Sequence, residues 1–479
     1  TITRCRLCAT CTTGYKRTGS GTKCKQCPDS TVNRVLLGVG IFVMIVGSSF
    51  MIYLEISSET SAEETSDAVK KIILNFLQIV SLAGGLPLQW PNEVQIMFDS
   101  FGTLSSAGSN LLIPDCELTN IRTADAFYYK QIFFTFLIPL VAIMCVLGWS
   151  LLWCCCKRRF NMKAAATKDY IILSIVLLFF LCYPMLTKLT LSMLKCPLIG
   201  DHYYLMADLQ EICFQELHLT YVLLLTMPQI LLYILGLPLA ATVLVMRNKN
   251  NLHHPRFYTR YGLLYLGYRD ERAWWELVVA LRKVAVVSIG TFGTLLGVVD
   301  LQAHLALMAI FVSIIVHLIG KPFDVSKVNT RLLHNLELAA LCIGWLTFWG
   351  GLLFFLGHEK VGSVNDEVNI FVTVCLVLGN VVFLIGSFFV FVKEYRSDKK
   401  KKMQRKSNAE QQQQNQELTQ IVPIAADDSV NDSNGDNEDD DADVRFVPAK
   451  GMRKSVTKSH ASFVHDEFHL HDQGLQKRM

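Results

Sequence analysis

Long apolar runs recur along the chain, and a helix needs about 20 apolar residues to cross the hydrocarbon core of a bilayer. Hydrophobic residues make up 51% of the 479 residues and charged residues 18%, whereas charged residues are roughly a quarter of a soluble domain. The sequence therefore predicts an all-α membrane protein, a polytopic helical bundle, and argues against several soluble domains. The eight runs of this length are Val35–Leu54, Ile132–Cys155, Tyr170–Leu191, Leu217–Met246, Trp275–Leu296, Leu301–Ile319, Leu333–Leu356 and Val368–Val392.

A ninth segment, Lys71–Leu88, is less apolar because it contains Asn75, Gln78, two glycines and Pro87. It is either a true span or an amphipathic helix that lies on the membrane surface. Basic residues collect in short cytosolic loops, and over the alternating loops that follow residue 88 they divide 22 against 4. This division predicts a cytosolic C-terminus and an extracellular segment before Ile132.

The N-terminal segment, residues 1–34, has five cysteines in the spacing C-x2-C-x2-C-x12-C-x2-C. Two CxxC pairs can bind zinc, and the seven basic residues of this segment favour the cytosolic side. The text between the pairs is rich in turn residues, however, and resembles the last piece of an EGF-like or growth-factor-receptor-like repeat, which is disulfide-bonded and extracellular. We therefore expect nine spans and an outer N-terminus, with disulfides at Cys5, Cys8, Cys11, Cys24 and Cys27. The chain begins at Thr1 rather than Met, so we expect a processed form or a fragment, and the odd cysteine count fits a repeat array that is cut short.

The remaining cysteines follow the predicted topology. Cys116, Cys196 and Cys213 fall in outer segments, where disulfides persist, and we expect Cys196 and Cys213 to be oxidised, either with each other or one of them with Cys116. Cys154, Cys155 and Cys156 end a span beside three basic residues, so they are either palmitoylation sites or packing residues.

The sequence has no motif of a hydrolase, a P-loop or a zinc protease, so we expect neither an enzyme nor a cofactor or metal. The near balance of 45 basic and 41 acidic residues argues against a nucleic-acid partner. Residues 396–479 are of low complexity and are predicted to be a disordered cytosolic tail. Its basic strip Lys399–Lys402 either contacts anionic lipids or serves as a stop-transfer signal.

Charged and polar residues within the spans are costly and are functional candidates. We predict a polar cluster near the inner face in which Glu337 pairs with Arg282 or Lys283; the alternative is that the two basic side chains snorkel to the surface. Gln302 and His317 are interpreted as interface anchors, and Pro228 and Pro238 are expected to break their helix. The candidate residues, which would line or support a pore, are Glu276, Arg282, Lys283, Asn335 and Glu337.

Four stretches follow the cysteine-rich repeat, and together they resemble the large multi-pass membrane proteins of protists and algae that carry such repeats outside the cell. The membrane region of those proteins is similar to transient-receptor-potential-like and polycystin-like proteins. The stretches are Lys71–Pro91, Leu205–Pro238, Tyr261–Lys283 and Gly320–Leu338.

The resemblance covers about residues 1–395, with a repeat remnant at residues 1–34 and a helical membrane domain at 35–395, and it excludes the tail at 396–479. It implies a cation-channel-like protein of the plasma membrane. The alternative function is a receptor or adhesion protein whose repeats bind a ligand. The expected partners are membrane lipids, cations or an extracellular ligand, and further copies of the chain.

Overall fold

We describe a computed structural model of the chain. It describes residues 15–17, 24–26, 29, 31–35, 38, 39, 42, 46, 49, 52, 65–105, 123–160, 164–293, 299–360 and 366–421. The chain divides into two units, residues 1–409 and 410–479. In the second unit the described residues are the end of one helix.

The described part is mostly helical. The helices are α1 (Thr65–Ala83), α2 (Asn92–Ser105), α3 (Thr123–Phe160), α4 (Ala164–Ser192), α5 (Glu216–Arg247), α6 (Pro255–Tyr265), α7 (Glu276–Phe292), α8 (Val299–Gly320), α9 (Val328–Lys360) and α10 (Asp366–Ile421). Short 3₁₀ turns at Lys249–Asn251 and Asp270–Trp275 precede α6 and α7. Five strands complete the list: β1 (Tyr15–Arg17), β2 (Cys24–Gln26), β3 (Leu198–Ile199), β4 (His202–Leu205) and β5 (Asp208–Ile212).

Five helices are long and apolar enough to cross a membrane, which fits a membrane protein. They are Thr167–Ser192 within α4, Glu216–Arg247, Leu301–Gly320 within α8, Val328–Leu356 within α9 and Glu367–Arg405 within α10. Each of them contains one of the predicted apolar runs. Predicted run Ile132–Cys155 lies inside α3. Seven of the 20 residues of Val35–Leu54 are described, and all seven are helical. Nine spans therefore remain a prediction.

The core is built around α1, because 15 of its 19 residues are buried. Its apolar side chains pack against α2, α7 and α9, and the Phe76 ring is tilted against those of Phe101 and Phe383 at ring distances of 6.3 and 4.5 Å. Lys71–Leu88 thus forms a helix and turn inside the bundle, rather than a helix on its surface. Trp90, which follows this turn, donates from its indole nitrogen to the carbonyls of Ala83 and Leu86.

Two prolines mark irregular turns in α5, but they do not break the helix as expected. Wide π-helical turns at Val222–Thr226 and Ile230–Gly236 flank the short α-helical piece that contains Pro228. Pro238 follows the second π-helical turn, in the first turn of the next α-helical piece. Proline cannot donate to the carbonyl four residues earlier, and the wider turns accommodate this within a continuous helix. Pro184 lies inside α4, which continues through it.

The segment between α4 and α5 forms an antiparallel three-stranded sheet, β3-β4-β5, which we call the outer sheet because the charge pattern predicts an extracellular position for it. A disulfide joins Cys196 and Cys213 across the sheet, with 6.3 Å between the Cα atoms. Asp208 accepts a hydrogen bond from the Ala124 backbone nitrogen at 3.0 Å, and Tyr128 donates to Glu211 at 3.3 Å. The sheet is therefore attached to the start of α3.

The last helix, α10, continues to Ile421, beyond the predicted start of the tail at residue 396. Glutamine and lysine are the commonest residues of this extension, and both are good helix formers. Asp398 on α10 is buried and accepts a hydrogen bond from the Ser66 backbone nitrogen at 3.1 Å. It thereby caps the N-terminus of α1, where backbone donors lack partners within the helix.

Candidate functional site

The structure brings six polar residues together in the bundle interior, and we call them the interior polar cluster. Lys71 comes from α1, Tyr268 from the turn after α6, Glu337 from α9, and the other three from α7. They meet because α1 is surrounded by α7 and α9, so a polar side chain on its inward face has only other helices to contact. The six residues are Lys71, Tyr268, Glu276, Arg282, Lys283 and Glu337.

Two ion pairs cross between the helices of the cluster. Arg282 and Glu337 approach to 3.0 Å, and their side chains are only 8% and 5% exposed. Lys71 and Glu276 approach to 2.7 Å, with exposures of 3% and 15%. This second contact is ionic by its distance, but it lacks the geometry of a hydrogen bond. At such burial the loss of one partner leaves an uncompensated charge.

Tyr268 contacts both residues of the Lys71–Glu276 pair. Its hydroxyl donates to Glu276 at 3.2 Å, and the Lys71 ammonium lies 4.2 Å from the centre of its ring. Burial, together with the negative charges of Glu276 and Glu337, raises the pKa of the Tyr268 phenol well above its usual range. The phenol therefore stays a neutral donor, which is the state that its bond to a carboxylate requires.

The contacts of Lys283 differ from those of Lys71 and Arg282. It is 2% exposed, and within the described part of the chain it has no ion-pair partner. Its ammonium lies 4.5 Å from the centre of the Phe180 ring, a cation–π distance. The cluster thus has three cations and two carboxylates, and both carboxylates are taken by Lys71 and Arg282.

A small cavity of about 10 Å³ lies beside the Arg282–Glu337 pair, about the size that holds one water molecule. Asn75 on α1 lines it, and this side chain is 2% exposed. Both amide atoms of Asn75 lack a hydrogen-bond partner within the described residues, as does Nε of Arg282. Buried amides are normally satisfied, so these atoms are suited to bind a small polar species.

Four of the five predicted cluster residues come together, and the fifth does not. Asn335 is exposed, because it lies on the opposite face of α9 from Glu337. The prediction that Gln302 and His317 are interface anchors is wrong, since they are 0% and 2% exposed. Gln302 donates to the Ile289 carbonyl at 3.0 Å, and His317 is stacked on His334 at a ring distance of 4.5 Å.

Sequence reasoning missed the contribution of α1. Asn75 and Gln78 were noted only as residues that weaken a span, and Lys71 only as its first residue. Their spacing of four and three residues nevertheless places all three on one helix face. When a helix with one polar face is packed among apolar helices, that face is expected to contact other polar groups in the interior. That signal was available in the sequence.

The cysteines outside the cluster are structural where they are described. The structure has the Cys196–Cys213 disulfide, one of the two expected arrangements. His218 lies close to both sulfurs, but its Nδ1 accepts from the Phe214 backbone at 3.0 Å and its Nε2 contacts the Met193 carbonyl at 3.1 Å. Since both sulfurs are used in the disulfide, this group is not suited to a metal.

Other predicted cysteine sites lie partly or wholly outside the described residues. Cys154 is exposed and free. Cys24 begins β2, which pairs with β1, but its side chain lies outside the described residues. The same holds for the side chains of Cys155 and Cys156, and for all of Cys5, Cys8, Cys11, Cys27 and Cys116.

Comparison with known proteins gives one distant relative. The chain is 23% identical over 438 residues to cysteine repeat modular protein A of Toxoplasma gondii. The match covers 77% of this chain but 14% of that protein, so the chain spans about a seventh of its length. This likeness supports a cysteine-rich protist protein. No family model and no solved structure matches the chain.

Proposed function

We propose that the chain is the membrane-embedded part of a cation-conducting, channel-like protein of the plasma membrane, with cysteine-rich repeats outside and its C-terminus in the cytosol. It would catalyse no covalent reaction, and it would act as an assembly of several copies. The single observation that carries the proposal is the buried polar face of α1, where Lys71, Asn75 and Gln78 lie deep among apolar helices.

Burial of these groups costs free energy that a purely structural helix avoids. A charged side chain at the centre of a membrane helix costs about 2.5–3.5 kcal/mol on the insertion scale. Three leucines in place of these residues would pack α1 with no such cost. Polar groups held at membrane depth in this way commonly mark ion or proton pathways, and the unpartnered atoms of Asn75 supply a place where a hydrated ion sheds or exchanges a water.

Reconstitution tests the proposal directly. The full chain is incorporated into liposomes, and uptake of Na⁺, K⁺ and Ca²⁺ is followed under an imposed membrane potential. The Asn75→Leu variant keeps the branching and the number of heavy atoms of the side chain and removes its polar atoms, so we expect it to lose most of the flux. Asn335→Leu makes the same exchange at an exposed position of α9 and should conduct like the unmodified chain.

Two results would overturn the proposal. One is cation uptake no faster than in protein-free liposomes for all three ions. The other is equal uptake in the Asn75→Leu variant and the unmodified chain, which would separate any flux from the polar face of α1.

A second candidate function, a receptor that relays an outer signal, is favoured by the attachment of the outer sheet. Asp208 and Glu211 of β5 bind the start of α3, so a displacement of the sheet moves that helix. Under this function, Asp208→Asn should alter hydrogen exchange in the cytosolic segment 249–275. Asp201→Asn, at the exposed tip of the same sheet, should leave that exchange unchanged.

A further inference from the structure

A second, larger cavity lies beside the interior polar cluster, between α4, α5, α6 and α7. Its volume is about 260 Å³ and its wall is almost entirely apolar. The side chains of the wall that matter for the argument are Phe180, Pro238, Ala241, Trp274, Leu277 and Lys283. The cavity is therefore a hydrophobic chamber with a charged group at one side.

The charged group is the cation left over in the cluster. Lys71 and Arg282 each have a carboxylate, whereas the contact that the described residues offer Lys283 is the face of Phe180, another residue of the cavity wall. Glu276 also borders the cavity, but its charge is matched by Lys71 at 2.7 Å. Burial without a counterion disfavours the ammonium form of a lysine, and an anion beside Lys283 would restore it.

The cavity lies on the inner face of α5, where Leu237 and Ala241 line it. On the opposite face of the same helix Leu235, Leu239 and Val243 are 45%, 51% and 49% exposed, which is the pattern of a lipid-facing helix. An occupant would therefore come from the membrane. Its chemistry must match an apolar wall and a single cation.

We infer that this cavity binds one long-chain fatty acid, with its alkyl chain along the apolar wall and its carboxylate against the Lys283 ammonium. The volume lies just under the roughly 300–1,000 Å³ of typical small-molecule sites, so it suits one chain rather than two. One ammonium can neutralise one carboxylate, whereas a phospholipid headgroup needs further donors. The inference does not depend on whether the chain conducts ions.

The test uses the full chain, purified in a zwitterionic lipid nanodisc, and reads tryptophan fluorescence. Dibromostearic acid is added at a pH where it is ionised, because bromine quenches an indole that it contacts and Trp274 lines the cavity. Dibromostearyl alcohol is the uncharged match. We expect saturable quenching by the acid, and an apparent affinity about tenfold lower for the alcohol, the usual weight of a charge-assisted hydrogen bond.

Four variants locate the site. Trp274→Phe should remove the saturable part of the quenching. Ala241→Phe fills the cavity and should abolish binding of both compounds. Lys283→Gln should bring the acid to the weaker affinity of the alcohol, while Lys283→Arg should keep the preference for the acid.

Several outcomes would overturn the inference. Equal quenching of the unmodified protein by acid and alcohol would show that Lys283 does not attract the carboxylate. Unchanged quenching in Ala241→Phe or in Trp274→Phe would place the compound elsewhere. Saturable quenching by a dibrominated phospholipid that the fatty acid does not displace would assign the cavity to a phospholipid chain. The comparison of acid with alcohol uses the unmodified protein, so it decides even where Lys283→Gln fails to fold.

Discussion

At the scale of residues, the interior polar cluster has two ion pairs that differ in hydrogen bonding and in burial. The Arg282–Glu337 pair is a hydrogen-bonded contact at 3.0 Å with both side chains at or below 8% exposure. The Lys71–Glu276 pair has a shorter distance, 2.7 Å, but the side chain of Glu276 is 15% exposed. Desolvation of two charges offsets much of the attraction between them, so the cost appears mainly when one partner is removed alone.

We predict that Glu337→Ala lowers the free energy of unfolding by about 3–5 kcal/mol, because it leaves the Arg282 guanidinium buried without a counterion. Thermal unfolding of the purified protein in detergent measures this as a lower melting temperature. Glu367→Ala, at an exposed glutamate of α10, is the matched control and should change little. The double variant Glu337→Leu with Arg282→Leu should recover stability relative to either single leucine variant; additive losses would show that the two residues do not interact.

The cluster also shows what a sequence can and cannot reveal at this scale. The pairing of Glu337 with a basic residue of α7 was predictable, since opposite charges at similar depth in two spans reduce each other's cost. The choice of Arg282 over Lys283 was not, because both lie about two turns into their helix and the rotation of α7 against α9 decides it. The burial of Gln302 and His317 likewise depends on neighbours that a single span does not specify.

At the scale of elements, α5 is the least regular of the long helices. Its second π-helical turn ends at Gly236, and a Cβ atom added there would lie 2.7 Å from the carbonyl oxygen of Leu231. That oxygen belongs to the backbone and has no rotamer to change. The glycine is therefore required by the wide turn itself, and not by a side chain that packs against it.

We predict that Gly236→Ala destabilises the protein, because the wide turn must narrow or shift to make room for the methyl group. Gly379→Ala is the control: a Cβ at Gly379 on α10 meets nothing within 4 Å. There alanine should stabilise the helix by up to about 1 kcal/mol, the difference in helix propensity. The measurement is the melting temperature of each variant in detergent. Equal changes in melting temperature for the two substitutions would argue against the π-helical turn.

A disulfide bond closes the segment that forms the outer sheet. We predict that replacing Cys196 and Cys213 by serine lowers stability by about 3 kcal/mol, the chain-entropy value for a loop of this size, since the cysteines are 17 residues apart. A reductant should destabilise the unmodified protein by a similar amount and leave the serine variant unaffected. Peptide mapping without reductant that recovers both cysteines as free thiols would contradict the disulfide.

The positions of the helices were more predictable than their roles. Each of the five span-length helices contains a run that hydropathy alone identifies, because their lipid-facing and core-facing sides are both apolar. Lys71–Leu88 was ambiguous for a physical reason: a helix surrounded by other helices can hold polar residues that a lipid-facing helix cannot. The extension of α10 was missed because polar composition alone does not distinguish an exposed helix from a disordered segment.

At the scale of the whole molecule, the orientation of the chain in a membrane is the property on which both candidate functions depend. The outer sheet and the 3₁₀ turn at Lys249–Asn251 lie at opposite ends of α5, whose 32 residues are more than a bilayer requires. The basic residues of the loop after α5 favour the cytosolic side for the 3₁₀ turn. The two should therefore face different compartments.

We predict that a glycosylation acceptor inserted after Asp201 is modified in cells, and that one inserted after Asn250 is not. Both positions are exposed in the fold. The two acceptors therefore differ only in the side of the membrane on which they are predicted to lie. The measurement is a shift in electrophoretic mobility that a glycosidase reverses. Modification after Asn250 alone would invert the topology, and modification at both sites would exclude α5 as a span.

The cap that Asp398 places on α1 has a mechanical consequence. Helix α1, of which 15 of 19 residues are buried, begins at a hydrogen bond to a side chain of α10, so two helices that are far apart in the sequence are joined at this point. A pull, a bound partner or an added charge on α10 near Asp398 would act first on the backbone of α1. If this part of α10 lies in the cytosol, as the basic residues predict, a cytosolic stimulus would reach the buried helix without crossing the bilayer.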